Sequence, residues 1–245
     1  MGSGAESAGT TSSTLGLFPR LVGVIRSPRT TFRAVAAAPR WVGLVAGLAV
    51  VTAVSQMALF GTQVGQTALV DQWEWTALAF GQTVDDARYA GFQALSQYGP
   101  LYGLATALVS GPVWTLVAAG VIFGVFRPRA QTSVSFSQVV AVVAHASVVL
   151  AIRQIVAAPI SYARETTGSA SSLGLWFPSL GTTSPVANVF GALDVFVMWW
   201  VVLVAIGVAV LYGRQARATA ATFLGIYAGV ALLVGVAMTA LGGTA

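Results

Sequence analysis

The stretch IRSPRTTFRAVAAAPRWVGLVAGLAVVTAVSQMALF, residues 25–60, decides the fold class. Its first part carries four arginines and no acidic residue, and twenty mostly apolar residues follow from Trp41 onward. About 20 apolar residues in a helix cross the hydrocarbon core of a bilayer. The stretch therefore predicts a transmembrane helix that is preceded by a basic segment at the membrane surface.

Composition extends this prediction to the whole chain. Of 245 residues, 56% are hydrophobic and only 8% are charged, with a mean hydropathy of +0.81. Soluble domains carry about 25% charged residues, so this composition favours an integral membrane protein. The net charge is only +5, and cysteine is absent while His145 is the single histidine. We therefore expect no nucleic-acid partner, no disulfide, no metal and no cofactor.

Five segments are apolar on all sides and long enough to span a bilayer. They comprise residues 41–60, 101–126, 139–159, 189–212 and 219–241. The sequence thus predicts an all-α, polytopic membrane domain over residues 41–245. Residues 1–17, rich in Ser, Thr and Gly, are expected to form a disordered tail. Residues 18–40 are expected to lie in the membrane interface as an arginine-rich segment, with a short helix after Pro28.

The arginines predict the orientation of these spans. Nine of the twelve fall on one side: Arg20, Arg26, Arg29, Arg33, Arg40, Arg127, Arg129, Arg214 and Arg217. The positive-inside rule places the N-terminus in the cytoplasm and the C-terminus outside. We expect Arg20, Arg26, Arg29, Arg33 and Arg40 to contact anionic lipid or a partner at the cytoplasmic face of the cell membrane, or of an endomembrane in a eukaryote. Residues 1–24 lack the apolar core of a signal peptide.

The outer connection over residues 61–99 is predicted to be long, and it contains Trp73, Trp75, Tyr89, Phe92 and Tyr98. Asp85 and Asp86 can start a short helix there, which would bury Tyr89, Phe92 and Leu95 at the outer interface.

Two charged residues inside the spans are expected to pair. Arg153 lies about 9 Å, and Asp194 about 7.5 Å, below the outer end of its span, at 1.5 Å per helical residue. Charges within a bilayer are costly and mark candidate functional positions. The pair is interpreted first as a structural salt bridge between the third and fourth spans and second as part of a transport site. Alternatively, Arg153 extends to the outer surface.

Other intramembrane features have both structural and functional interpretations. His145 can relay protons, but a hydrogen bond to a neighbouring helix is favoured. Gln56 and Gln154 are expected to form interhelical hydrogen bonds. Pro112 predicts a kink in the second span. Glycines four residues apart, such as Gly99 and Gly103, permit close helix packing.

Three segments together resemble the Yip family. They are LVGVIRSPRTTFRAV (21–35), VSFSQVVAVVAHASVVLAIRQIVAAP (134–159) and GALDVFVMWWVVLVAIGV (191–208). The resemblance implies a five-span membrane protein with a cytosolic N-terminus. In eukaryotic members it implies binding of Rab/Ypt GTPases in vesicle traffic; for the prokaryote-like members, which this sequence resembles most, it implies the fold alone.

The function favoured by these observations is a non-enzymatic scaffold that organises membrane or trafficking-type partners, including a second copy of the chain. The absence of lysine excludes a Walker phosphate loop, and a single histidine excludes a zinc-protease motif. The alternative is a small transporter or channel that uses Arg153, Asp194 and His145. A continuous wet cavity around Arg153 and Asp194 would distinguish the two, because transport requires one.

Overall fold

The computed structural model describes residues 17–127, 133–163, 171–177 and 185–242. Apart from one isolated β-bridge, these residues form helices and their connections. The helices are α1 (Leu17–Arg26), α2 (Pro28–Ala37), α3 (Val42–Phe60), α4 (Gln63–Ala79), α5 (Asp86–Ser96), α6 (Gly99–Phe126), α7 (Phe136–Ala146), α8 (Val148–Ala163), α9 (Pro185–Ala192), α10 (Val195–Leu211) and α11 (Ala216–Gly242). The tail predicted over residues 1–17 lies outside the described residues except for Leu17.

Four helical stretches of the described chain are long and apolar enough to cross a membrane. They are Val42–Phe60, Gly99–Phe126, Phe136–Ala157 and Ala216–Ala237. Helix α10 is equally apolar but has 17 residues, slightly fewer than a full crossing requires. The all-α, multi-span fold class is therefore confirmed. The orientation of the termini stays a prediction.

The α7–α8 helix lies at the centre of the bundle. Residues 139–146 are all completely buried. Of the 18-residue apolar stretch that could cross the membrane, 56% is buried inside the protein here, against 11–22% in the other three candidate spans. Helices α3, α6 and α10 pack around it. A helix that is apolar all round can be enclosed in this way, whereas α3, α6 and α11 leave large apolar side chains on the outside for lipid.

The N-terminal arginine-rich segment is built into the bundle. It folds as α1 and α2 on either side of Ser27, and α2 packs on α7 and α10. Val24, Phe32 and Val35 are completely buried, and Phe32 joins the same apolar core as Val142 and Val208. The pattern predicted one short interfacial helix after Pro28; the structure shows two helices that are anchored by buried side chains.

Gly207 on α10 lies against side chains of both α2 and α7. A Cβ atom at this position would overlap Cγ1 of Val142 and lie 3.4 Å from Cδ1 of Phe32. Both neighbours are completely buried and cannot move aside easily. Glycine is therefore required here by packing.

Gly207→Ala is expected to destabilise the protein by about 2 kcal/mol, because the added methyl group overpacks the core. Gly225→Ala on α11 is the matched control, since a Cβ there meets nothing within 4 Å. Because alanine has a greater helix propensity than glycine, Gly225→Ala should leave the stability unchanged or raise it by up to about 1 kcal/mol. Thermal unfolding in detergent, followed by tryptophan fluorescence, measures both. Equal effects of the two substitutions would contradict the packing role.

Two connections differ from the sequence prediction. The predicted fourth span, 189–212, is interrupted at Leu193 and Asp194, where α9 ends and α10 begins. The outer connection contains the 17-residue helix α4, which was not predicted, and then α5, which starts at Asp86 as expected. Asp85 caps α5 by accepting a hydrogen bond of 2.8 Å from the backbone N–H of Arg88.

The side chains of α5 are only partly covered by the rest of the chain. Tyr89 and Phe92 are half-buried, while Leu95 is 55% exposed. Trp73 of α4 links α4 and α5 to α6, because its ring packs on Phe92 of α5 and edge-on against Tyr102 of α6.

Candidate functional site

Asp194 occupies the break between α9 and α10 and starts the second of these helices. Its backbone is extended, and its Oδ1 accepts hydrogen bonds from the N–H groups of Phe196 (2.9 Å) and Val197 (3.2 Å). Aspartate is one of the best residues at a helix N-cap because its carboxylate satisfies free N–H groups and complements the helix dipole. Asp194 is therefore a helix-capping residue at the break, and it is not a charge in the middle of a continuous helix.

The other carboxylate oxygen of Asp194 binds Arg153. Arg153 Nε lies 2.8 Å from Asp194 Oδ2, so an ion pair joins α8 to the start of α10. The side chain of Asp194 is 7% exposed and that of Arg153 is 31% exposed. Ser171 completes the cluster: its hydroxyl donates to Oδ2 of Asp194 and accepts from Arg153 Nε at 3.2 Å.

The segment that carries Ser171 is held against the helix break by its backbone. Ser172 and Asp194 form an antiparallel bridge, in which Leu173 N–H donates to Leu193 O (2.7 Å) and Val195 N–H donates to Ser171 O (3.1 Å). These contacts satisfy backbone groups that an interrupted helix leaves unpaired, as is required inside a membrane.

Tyr227 of α11 closes the same break from another side. Its hydroxyl accepts from the backbone N–H of Asp194 (3.0 Å) and donates to the carbonyl of Ala192 (3.1 Å). Together with Tyr227, the ion-pair cluster therefore joins four helices, α8, α9, α10 and α11, and the loop that carries Ser171.

Tyr227→Phe is expected to destabilise the protein by about 1–2 kcal/mol, because an N–H and a carbonyl at the break lose their partner. Tyr98→Phe provides the control: Tyr98 is 57% exposed, and its hydroxyl makes no hydrogen bond within the described part of the chain. Thermal unfolding gives the stability, and amide hydrogen exchange at residues 192–195 shows whether the loss is local. Unchanged exchange at these residues would contradict the bridging role.

A cavity of about 320 Å³ lies between α3, α6, α8 and α10 and reaches Arg153. Its walls are mainly apolar, with Thr52, Thr115, Ser147 and Gln154 as the uncharged polar members. Asp194 is not among the residues that line it. The cavity thus meets one member of the ion pair and leaves the other enclosed by protein.

His145 is completely buried in the central helix. Its Nδ1 is 2.7 Å from the carbonyl oxygen of Ala141, so its hydrogen bond lies within its own helix and not to the neighbouring helix that was favoured. Helix α1 packs on α7, the helix that carries His145.

Arg20 differs from the other four arginines of the N-terminal segment. It is only 3% exposed and donates through Nη1 to the carbonyl of Ala38 at 3.0 Å, which ties α1 to the end of α2. This burial does not fit the lipid contact expected for Arg20. Arg26, Arg29, Arg33 and Arg40 are exposed.

A polar motif at the start of α7 fixes the end of α2 and was not recognised in the sequence. Ser135 and Gln138 form a reciprocal capping box, and the Gln138 amide also donates to the carbonyl of Ala36 at 2.9 Å. Ser137 accepts a hydrogen bond from the indole N–H of Trp41. The pattern Ser-x-x-Gln before an apolar run is the signal that predicts such a cap.

The remaining intramembrane candidates have different surroundings. Gln56 accepts from the Thr106 hydroxyl at 3.1 Å and so joins α3 to α6, as expected for an interhelical partner. Gln154 lines the cavity, and its amide has no hydrogen bond to any residue in the described ranges. Pro112 lies inside α6, which continues through it as one helix. Gly99 and Gly103 pack closely on Phe60 and Gln56 of α3.

These features were compared with known proteins. The model of the Yip1 domain matches residues 22–239, which is most of the chain. The chain belongs to the Yip family. Neither the curated proteins nor the solved structures contain a significant match. Membership makes this a membrane protein of a trafficking-type family whose members are generally non-enzymatic.

The three segments that carried the Yip resemblance meet in one place in this Yip domain. Phe32 comes from the first segment and Val142 from the second; both belong to the same core cluster and lie against Gly207 of the third. The third segment also contains Asp194, which pairs with Arg153 of the second. The Yip pattern in this chain thus includes the residues that hold α2, α7–α8 and α10 together.

Proposed function

We propose that this Yip-family protein is a non-enzymatic membrane scaffold whose exposed N-terminal arginines bind an anionic membrane surface or a protein partner. The observation that carries the proposal is the anchoring of α1 and α2. Buried Val24, Phe32 and Val35 hold these helices on the bundle. A pre-organised cationic surface of this kind favours binding because little conformational entropy is lost.

The intramembrane polar residues support the same proposal. Asp194 caps α10, pairs with Arg153 and accepts from Ser171, and Tyr227 bridges the adjacent backbone. These contacts account for the polar side chains at the helix break as structural links. The exposed surface formed by Arg26, Arg29, Arg33 and Arg40 is then the region available for partners.

Native mass spectrometry on protein that is extracted gently from its own membrane tests the proposal. A protein or anionic lipid that is retained by the wild type should be lost when Arg26, Arg29 and Arg33 are all replaced by glutamine. Arg88→Gln, which removes an exposed arginine on α5, serves as the control for nonspecific charge effects. Retention by the triple variant at the wild-type level would refute the proposed surface.

Transport is the second candidate, and the cavity beside Arg153 is the observation that favours it. A transported ion or small molecule should then be retained by the wild type and lost on substitution of Gln154→Leu, which alters the cavity and leaves the ion pair in place. Flux into proteoliposomes that depends on Gln154 would rank transport above the scaffold.

A further inference from the structure

We infer that the cavity between the end of α6 and the start of α11 binds the phosphate headgroup of an anionic phospholipid. The cavity has a volume of about 350 Å³. Phe126 of α6 forms one wall, and Arg214, Gln215, Thr222 and Phe223 are among the residues that line the other. This surface is separate from the arginines of α1 and α2, so the inference stands independently of the proposed function.

The position of the cavity corresponds to the headgroup layer of a bilayer. The candidate span of α6 ends at Phe126, and that of α11 begins at Ala216. Both helices therefore leave the apolar layer at this level, whichever face of the membrane it is. Lipid phosphates lie at the same level, next to the aromatic side chains that favour this interface.

The charge in the cavity is not neutralised by the described protein. The Arg214 side chain is exposed and lies over the ring of Phe126, with 5.6 Å between Cζ and the ring centroid. It makes no ion pair or hydrogen bond to the residues that the structure describes. The sequence contains no aspartate or glutamate in residues 121–163 or 195–242, so the two adjacent helical hairpins provide no counter-ion.

The aromatic wall favours a lipid over a soluble phosphate. Phe126 packs against both Phe223 (6.0 Å between ring centroids) and Tyr212 (5.3 Å), so the guanidinium group lies on an apolar base. Arginine stacked on an aromatic ring keeps its N–H groups free at the edge, where they can bind phosphate oxygens in pairs. The apolar base is suited to the glycerol and upper acyl carbons of the same lipid.

The other polar side chains next to Arg214 differ in whether they can donate to a phosphate. The hydroxyl groups of Thr219 and Thr222 already donate to backbone carbonyls, Gln215 O and Ala218 O. The Gln215 amide lines the cavity and is exposed, and the backbone N–H groups of the first turn of α11 lie beside it. A negative phosphate is favoured there by the helix dipole as well as by Arg214.

The experiment compares two arginines of the same turn. Wild type, Arg214→Gln and Arg217→Gln are reconstituted in bilayers of equal phosphatidylglycerol and phosphatidylcholine, extracted in mild detergent and examined by native mass spectrometry. Both arginines are exposed, and both substitutions remove one positive charge, but Arg217 does not line the cavity. We expect Arg214→Gln to lower retention of phosphatidylglycerol about tenfold, the effect of one charge-assisted contact, and Arg217→Gln to change it less than about twofold.

A second variant keeps the charge and fills the space. Ala218 lines the cavity, so Ala218→Phe should also lower phosphatidylglycerol retention although Arg214 is intact. Thermal unfolding of each variant shows whether the bundle is preserved. Equal losses in Arg214→Gln and Arg217→Gln, or no loss in Arg214→Gln or Ala218→Phe, would overturn the inference. Displacement of the lipid by millimolar inorganic phosphate would show a soluble-anion site and would also overturn it.

Discussion

Replacement of Asp194 by alanine is expected to lower the free energy of unfolding by about 3 kcal/mol or more, because it removes a carboxylate that is only 7% exposed and pairs with Arg153. The same substitution removes the cap of α10 and the acceptor of the Ser171 hydroxyl. Thermal unfolding in detergent micelles, read from the fluorescence of the seven tryptophans, measures the loss.

Two further variants separate the contributions of Asp194. Asp194→Asn keeps an oxygen that can cap α10, although it removes the charge and replaces the other oxygen with an NH2 group, so it should lose less stability than the alanine variant. Combining Asp194→Asn with Arg153→Met removes both charges and should recover part of that loss, because a missing ion pair costs less than an unpaired charge. If the free energy of unfolding of Asp194→Ala lies within about 0.5 kcal/mol of the wild-type value, the ion pair is not a structural link.

Phe32→Ala is expected to destabilise the protein by about 3 kcal/mol, since it opens a cavity where α2 meets α7 and α10. Phe18→Ala on α1 is the control, because Phe18 is 75% exposed and Phe32 is completely buried. Thermal unfolding gives the size of the effect. Limited digestion with trypsin reports on the same region, since Arg26, Arg29 and Arg33 are exposed cleavage sites on α1 and α2.

The expected digestion result is specific to the docking of α2. Phe32→Ala should be cut at these arginines faster than the wild type under conditions in which the rest of the bundle resists, and Phe18→Ala should be cut at the wild-type rate. Equal digestion of the two variants would show that Phe32 does not hold the N-terminal segment on the bundle.

The spans and the ion pair could be predicted because the bilayer imposes simple constraints. A crossing requires about 20 apolar residues, so α3, α6 and α11 are visible as continuous runs. A charge inside a span requires a partner at the same depth, and the sequence offers Arg153 and Asp194. The first inference depends on the composition of a single segment. The second depends only on how far each charged residue lies from the end of its span.

The break in the fourth span could not be predicted from hydropathy. Residues 189–212 form one apolar run in which Asp194 is the single charge, and the same residue is also a typical helix-starting residue. What decides between these interpretations is the loop segment at Ser171, which pairs with the chain on both sides of Asp194. That contact joins residues 23 positions apart, so the sequence around Asp194 contains no local pattern that predicts it.

The burial of Arg20 could not be predicted for a related reason. Arg20, Arg26 and Arg33 look alike in the sequence, and only the packing of α1 against α2 and α7 separates the first from the others. The hydrogen bond from Arg20 to Ala38 joins residues on either side of the Ser27 junction. Helix α4 was missed because its polar and apolar residues follow no clear helical stripe over residues 63–79.

The packing of α2 on α7 and α10 has a consequence for the order in which the chain is synthesised and folds. Phe32 is synthesised before the residues that complete its site, because Val142 follows it in the chain and Gly207 is made 175 residues after it. Helix α2 therefore reaches its final position only after α10 has been made. Until then Phe32 and Val35 lack the protein surface that buries them in the folded bundle.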